Sequence, residues 1–348
     1  MMENYHDQID AQNTMKLREL QKELPLFVQT YFTSLSDQTA SRTRLAYAFD
    51  LKIFFGFLAE EILDCTNIKD ITITDMSQIE SDHIEMFMEY LSYYVPLGDP
   101  DMSHQNKALG KSRKLAAVRG LFKHLYMKKK ITANPAELVA FPKIVQKSIT
   151  TLEVDEIAKL LDEVDSGENL TPHQKQYHER TKLRDAAIIT LLLGTGMRVS
   201  ECVGLNIRDV DFETNGLRVI RKGGDEMILY FGAEVEAALK SYLPFRMEMD
   251  VQPDHKNALF LSLQNRRLTD RAIQNLVKKY ASIITKLKNI SPHKLRSTFG
   301  TQLYAETGDI YLVANVLGHA DVNTTRKHYA KMDDNYRRRA ANAVRLRD

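Results

Sequence analysis

Between Ser291 and Tyr329 the chain reads SPHKLRSTFGTQLYAETGDIYLVANVLGHADVNTTRKHY. His293 and Arg296 are three residues apart, one helical turn, so both side chains can point to one side of a helix. Leu317, Gly318 and His319 follow, and Tyr329 comes ten residues after that histidine. An arginine is an always-charged planar fork that suits phosphate oxygens. A tyrosine hydroxyl, with an unperturbed pKa of about 10, is a poor nucleophile unless cationic groups assist it. Histidine, arginine, histidine and tyrosine in this order point to attack by a tyrosine on a phosphodiester.

Breaking a phosphodiester without a metal sets three requirements. Fixed donors must meet the charge that grows on the nonbridging oxygens. The nucleophile must lie in line with its leaving group, and the leaving oxygen needs a proton from a general acid. Upstream candidates exist for these tasks. Arg198 lies in GTGMRVSE, just past two glycines, where a turn can present it at a helix start. Lys222 lies in RKGGDE, on a glycine-rich turn. Each is weak evidence by itself, since surface arginines and turn lysines are common. The ordered set Arg198, Lys222, His293, Arg296, His319, Tyr329 is the specific signal.

The elements that must position these residues follow from periodicity and punctuation. Residues 1–23 are polar and read as a loosely docked extension. Helical patterning begins at Pro25, with LPLFVQTYFTSL as one short helix. A longer helix follows whose expected buried stripe is Leu45, Phe49, Ile53, Phe57 and Leu58. IKDITITDMSQ (68–78) reads as an extended linker, and Ser81-Asp82 as the cap of the next helix. GKSRKLAAVRGLFKHLYMKKKI carries Leu115, Val118, Leu121, Phe122 and Leu125 on one face. Lys111, Arg113, Lys114, Arg119 and Lys123 project between or opposite them, a pattern open to phosphate contact or simply to solvation. Residues 141–150 are basic, proline-containing and helix-poor, and read as an interdomain linker. Beyond it, LEVDEIAKLLDEV is a helix, Ser166 to Glu179 a polar loop, and RDAAIITLLLGTGMRVSECVGL a buried helix, a turn and a second helix. NIRDVDFETNGLRVIRKGGDEMILYF alternates apolar and polar residues around glycine turns, the pattern of a small antiparallel sheet. The expected fold is mainly α with that small sheet: a helical N-terminal domain and a mixed α/β C-terminal domain.

Bulk properties agree with a nucleic-acid partner. The 348 residues suit two domains, and 43% of them are hydrophobic, enough for two cores. Net charge is only +2, but it is segregated. Residues 1–100 hold 7 Lys/Arg against 17 Asp/Glu, whereas residues 101–148 hold 11 against 2. Such segregation favours one polyanion-facing side. The two cysteines, Cys65 and Cys202, fit no metal or disulfide spacing. With no signal-like N-terminus and no run approaching the roughly 20 apolar residues of a membrane span, a cytoplasmic protein is expected.

The four sequence boxes together resemble the tyrosine recombinases, the phage-type integrase family, and most of all its Xer group. GTGMRVSECVGL resembles the first arginine box, RKGGDE the β-turn lysine, PHKLRSTFGTQL the His-x-x-Arg box, and VLGHADVNTTRKHYAKM the Leu-Gly-His and tyrosine box. The resemblance covers about residues 24–332. It implies a helical core-binding domain over 24–140, the linker at 141–150 and a catalytic domain over 151–332. It also implies roles. Tyr329 would attack the scissile phosphate to form a 3′-phosphotyrosyl link, Arg198 and Arg296 would clamp its oxygens, and Lys222 would protonate the leaving oxygen. His293 would assist proton transfer at the tyrosine, His319 would bond the phosphate, and Glu201 would support the arginine. The implied partners are double-stranded DNA sites and further copies of the chain, as a tetramer on two sites, exchanging strands through a Holliday junction. The covalent link stores the bond energy, so no metal, ATP or other cofactor is expected. The tail at 333–348 would dock on a neighbouring subunit. Ser297 departs from the family, which often has a second histidine there, and Tyr336 is the natural control for Tyr329. A type IB topoisomerase and an inactive DNA-binding accessory protein are the other readings of the same residues. Target sequence, accessory proteins, and the choice between chromosome-dimer resolution and mobile-element integration stay open.

Overall fold

The computed structural model describes residues 5–95, 103–145, 150–221, 224–318 and 321–322. The chain divides into two units, Met1–Gln146 and Lys147–Asp348.

The first unit is all helical: α1 (Tyr5–Gln21), α2 (Val28–Ser34), α3 (Ser41–Phe57), α4 (Ile73–Gln78), α5 (Ser81–Tyr90) and α6 (Ala108–Met127). Its core gathers Leu51, Phe54, Phe55 and Leu58 of the α3 segment, Phe87 of α5, and Leu115, Val118, Leu121, Phe122 and Leu125 of α6. Phe54 meets Phe87 and Phe122 edge-on, with ring centroids 5.0 and 6.2 Å away, the geometry the aromatic quadrupole favours.

Three expectations for this unit are corrected. The N-terminal segment is not loosely docked: Leu17 and Leu20 bury one side of α1, which packs on α3. Ser41 of α3 also donates to Asp10 Oδ1 at 2.6 Å and accepts from Asn13 Nδ2 at 3.1 Å, contacts no local pattern reveals. Of the expected stripe of α3, Phe57 and Leu58 are buried and Leu45 and Ile53 half-buried against the core, but Phe49 is 54% exposed, and Ala48, Leu51, Phe54 and Phe55 complete the buried face. This helix is apolar around more than one face, so periodicity alone leaves its rotation undecided. Residues 68–78 are not an extended linker. They form a turn of 3-10 helix (Ile68–Asp70) and then α4. The Thr72 hydroxyl accepts from the Asp75 N–H while the Asp75 carboxylate accepts from the Thr72 N–H at 2.7 Å, a reciprocal cap that starts a helix too short for periodicity to reveal.

The second unit holds α7 (Val154–Ser166), α8 (Pro172–Thr195), α9 (Val199–Gly204), β1 (Val210–Asp211), β2 (Gly216–Ile220), β3 (Glu226–Tyr230), α10 (Ala233–Met247), α11 (Asp270–Ile284), α12 (Pro292–Thr307) and α13 (Ile310–Leu317). The strands form one antiparallel sheet in the order β1-β2-β3, with Leu217 opposite Leu229. Helix α8 is the central element, packed by α7, α10 and α12, and its second half, Ala187 to Leu193, is almost wholly buried. The polar residues 172–179 belong to α8 and not to a loop. Thr171 and Gln174 cap the helix reciprocally, with Pro172 in its first turn. No helix of the described residues is long and apolar enough to cross a membrane.

Candidate active site

The site is assembled around the C-terminal end of α13. The last carbonyls of any helix lack intrahelical partners and carry the negative end of its dipole. Here three consecutive carbonyls are taken by arginines from three different elements. Arg221, at the end of β2, donates from Nη2 to Val316 O at 2.9 Å. Arg296, on α12, donates from Nη2 to Leu317 O. Arg198, at the start of α9, donates from Nη2 to Gly318 O at 2.9 Å. Gly318 ends the helix at φ +63°, in the left-handed region that favours glycine.

Arg198 is placed by the turn that precedes it. α8 stops at Gly196, with φ +62°, where a Cβ would lie 2.3 Å from the Phe299 ring. The chain then reverses, and Arg198 caps α9 in extended backbone. Glu201, buried on the first turn of α9, binds this residue twice. One carboxylate oxygen accepts from the Arg198 N–H at 2.8 Å and the other from Nη1 at 2.7 Å. A third of the Arg198 side chain stays exposed. Arg296 sits deeper, at 5% exposure, and its Nη1 donates to Gly196 O at 2.7 Å. It therefore joins the turn before Arg198 to the turn after α13.

The structure thus brings together Arg198, Glu201 and Arg296, which are 98 residues apart at their extremes in sequence. His293 lies exposed on the first turn of α12, one turn before the buried Arg296. Ser297, the departure from the family pattern, donates its hydroxyl to the His293 carbonyl at 3.0 Å. Lys222, His319, Tyr329, Tyr336 and the 333–348 tail lie outside the described residues. Arg221 was missed by sequence reasoning, although it stands beside Lys222 in the same RKGGDE box. Burial pushes its guanidinium below the ordinary arginine value, Arg198 adds to the effect and Glu201 opposes it. Three guanidiniums against one buried carboxylate leave an excess of positive charge, the electrostatics of an anion site. Among the described residues no group of three His, Cys, Asp or Glu is placed to hold a metal ion. Cys202 is fully buried on α9, and burial raises its thiol far above the reactive range.

The basic helix α6 is less uniform than its sequence implies. Lys114 is buried and points inward, to Asn106 Oδ1 at 3.0 Å and to the carboxylate of Asp50 at 3.6 Å. The buried Asp50, on α3, also lies 2.7 Å from Nη1 of Arg113, which is about half exposed. Burial raises the Asp50 carboxyl and lowers the Lys114 ammonium, and their mutual attraction opposes both shifts. Lys114 is thus a core ion-pair residue, not a surface cation. Lys111 donates to Ser92 Oγ at 2.7 Å. Arg119 lies over the Phe141 ring, 4.8 Å from its centroid, and reaches Glu137 O. Lys123 is exposed. Asp50 is a lone acid in the apolar run AFDLKIFFGFLA, the one sequence signal that a buried ion pair was needed.

Both the sequence and the fold have known counterparts. Residues 150–336 match the model of the phage integrase family. The tyrosine recombinase XerC of Pelobacter propionicus is 32% identical over 286 residues, covering 82% of this chain and 83% of that protein. XerC of Caldanaerobacter subterraneus subsp. tengcongensis is 32% identical over 320 residues, covering 90% and 84%. Among solved structures, the XerH site-specific recombinase in its post-cleavage complex with palindromic difH DNA superposes with a TM-score of 0.60 at 21% identity, over 87% of this chain and 80% of that one. The Tn1549 transposon integrase, in complex with a circular intermediate DNA, gives 0.60 at 19% identity over 86% and 93%.

Proposed function

Because the chain belongs to the phage integrase family and is a Xer-like tyrosine recombinase, an enzyme that cleaves and rejoins DNA strands through a tyrosine, we propose that Tyr329 is that tyrosine and forms a 3′-phosphotyrosyl intermediate at specific duplex sites. The observation that carries this reading is the meeting of Arg198 and Arg296 at the Leu317-Gly318 carbonyls, in the turn immediately before His319. Arg198, braced by Glu201 and partly exposed, presents its fork to the nonbridging oxygens of the scissile phosphate. Arg296 adds its charge from beneath and holds the two turns together. A rigid cationic floor of this kind costs no reorganisation when charge develops on the phosphate.

The remaining roles follow the family pattern. Tyr329 attacks in line and His293 assists in removing its proton. Lys222 delivers a proton to the leaving 5′-oxygen, and His319 bonds a phosphate oxygen. Reversal of the same steps by a 5′-hydroxyl from a second duplex rejoins the strands, so the bond energy is conserved. Two rounds of exchange pass through a Holliday junction held by a tetramer on two DNA sites. The first unit, over about 24–140, grips the duplex as a core-binding domain, with Lys111, Arg113, Arg119 and Lys123 on phosphates. The 333–348 tail docks on a neighbouring subunit. In the cytoplasm the same chemistry would serve either chromosome-dimer resolution or mobile-element integration.

The test is a suicide substrate, nicked beside the cleavage position, built on a duplex selected by the protein from random-sequence DNA. The unsubstituted chain is expected to form a covalent protein–DNA adduct that survives denaturation, and Tyr329→Phe to form none. An adduct that persists in Tyr329→Phe but disappears in Tyr336→Phe would transfer the role. No adduct from the intact chain on any selected duplex would overturn the reading.

A further inference from the structure

We propose that Arg221 is a positioning residue of this active site, fastening the base of the β2–β3 hairpin to the last turn of α13 so that the two carbonyls held by Arg296 and Arg198 stay in register. The inference rests on the recombinase reading above and adds to it a residue beyond the six that the sequence boxes single out for chemistry.

The main chain of Arg221 is fixed at the hairpin base. Its N–H donates to Asp225 O at 2.8 Å, and its carbonyl accepts from the Gly224 N–H at 3.0 Å. From that anchor the side chain crosses to α13, where Nη2 reaches Val316 O at 2.9 Å and Asn315 O at 3.4 Å. The guanidinium then lies flat against Gly318. A Cβ at that position would be 2.1 Å from Arg221 Nη1 and 2.2 Å from its Cζ. Gly318 therefore serves twice: its left-handed backbone favours glycine, and a Cβ there would push the Arg221 guanidinium off its carbonyls. The carbonyls of Val316, Leu317 and Gly318 receive Arg221, Arg296 and Arg198 in sequence order. Without Arg221 the first of these is left without its side-chain donor, and the terminal turn of an eight-residue helix is free to fray. Both phosphate-binding arginines are bonded to that turn, so its displacement moves them. A misplacement of about 1 Å in a catalytic group can cost on the order of 10²-fold in rate.

The experiment compares Arg221→Ala, Arg221→Lys, Gly318→Ala and the double variant R221A/G318A, in the full chain. On the suicide substrate at saturating DNA, Arg221→Ala is expected to slow single-turnover cleavage roughly 10- to 100-fold, while its Kd for the same duplex changes less than about threefold. Arg221→Lys should recover part of the rate, since an ammonium reaches one carbonyl but cannot fill the flat space over Gly318. In thermal unfolding, Gly318→Ala should lower Tm more in the unsubstituted chain than in the R221A background. The cost of the left-handed backbone is common to both and cancels. A cleavage rate within threefold of the unsubstituted chain would overturn the proposal. So would a rate loss matched by an equal loss of DNA affinity, which marks a merely structural residue. Should the unsubstituted chain form no adduct, the recombinase reading falls by itself. The Tm cycle then still decides the Arg221–Gly318 contact, and additive effects refute it.

Discussion

Arg198 and Arg296 look equivalent in sequence, each an arginine in its own box, but their surroundings make them unequal. Arg296 is buried and satisfies Gly196 O and Leu317 O. Its removal leaves two carbonyls without donors in the interior, a cost of roughly 2–4 kcal/mol. Arg198 is partly exposed, and Glu201 keeps a main-chain N–H when the guanidinium is gone. Both Arg296→Ala and Arg198→Ala are therefore expected to abolish cleavage and lower the urea midpoint, the first by orphaning two carbonyls and the second by leaving the Glu201 carboxylate buried without its counter-charge. A urea midpoint unchanged in either variant would contradict this assignment. The chemical types of both residues were legible in sequence. Their difference was not, because it arises from which carbonyls lie beside each guanidinium, and those carbonyls belong to residues up to 120 positions away.

At the scale of the element, α6 shows how one basic helix divides its cations between core and surface. Lys114 faces Asp50 on α3: removing Lys114 leaves Asp50 only the half-exposed Arg113, and removing the Asp50 charge leaves Lys114 buried without a counter-charge. Lys114→Ala or Asp50→Asn should destabilise the protein by up to about 3–5 kcal/mol, read as a lower urea midpoint at unchanged slope. Lys123, exposed, and Lys111, half-buried and bonded to Ser92 Oγ, carry no buried charge of opposite sign and should behave oppositely. Neutralising both is expected to leave the urea midpoint in place and to reduce the salt slope of DNA binding by about 0.9 for each phosphate that one of them neutralises. An unchanged salt slope would remove them from the DNA interface. Periodicity placed the apolar face of α6 correctly, with Leu115, Val118, Leu121, Phe122 and Leu125 all buried. It could not assign Lys114, because a lysine flanking an apolar stripe snorkels or pairs according to what the facing helix offers. The same limit explains α3, whose apolar residues cover more than one face, and α4, whose identity lies in a Thr72–Asp75 cap more than in any pattern of hydrophobicity.

At the scale of the molecule, each unit carries its own core, and the candidate active site draws only on residues of the second. Residues 147–348 expressed alone are therefore expected to unfold cooperatively and to cleave the suicide substrate, with DNA affinity reduced by loss of the first unit. Failure of this fragment to unfold cooperatively, as followed by circular dichroism in urea, would show that the division into units is not an energetic one. By itself the sequence determined the helix-rich class with one small antiparallel sheet, the family, and the residue types its chemistry needs. Those properties are local: they depend on spacing within a turn, a strand or a motif. Only the tertiary structure decided that three arginines, two flanking β2 and α9 and one within α12, close on three successive carbonyls at the end of α13, that Lys114 belongs to the core, and that a side chain at Gly318 would displace Arg221. These are contacts between segments distant in the chain, set by how helices rotate and pack against each other, and no window of sequence contains both sides of them.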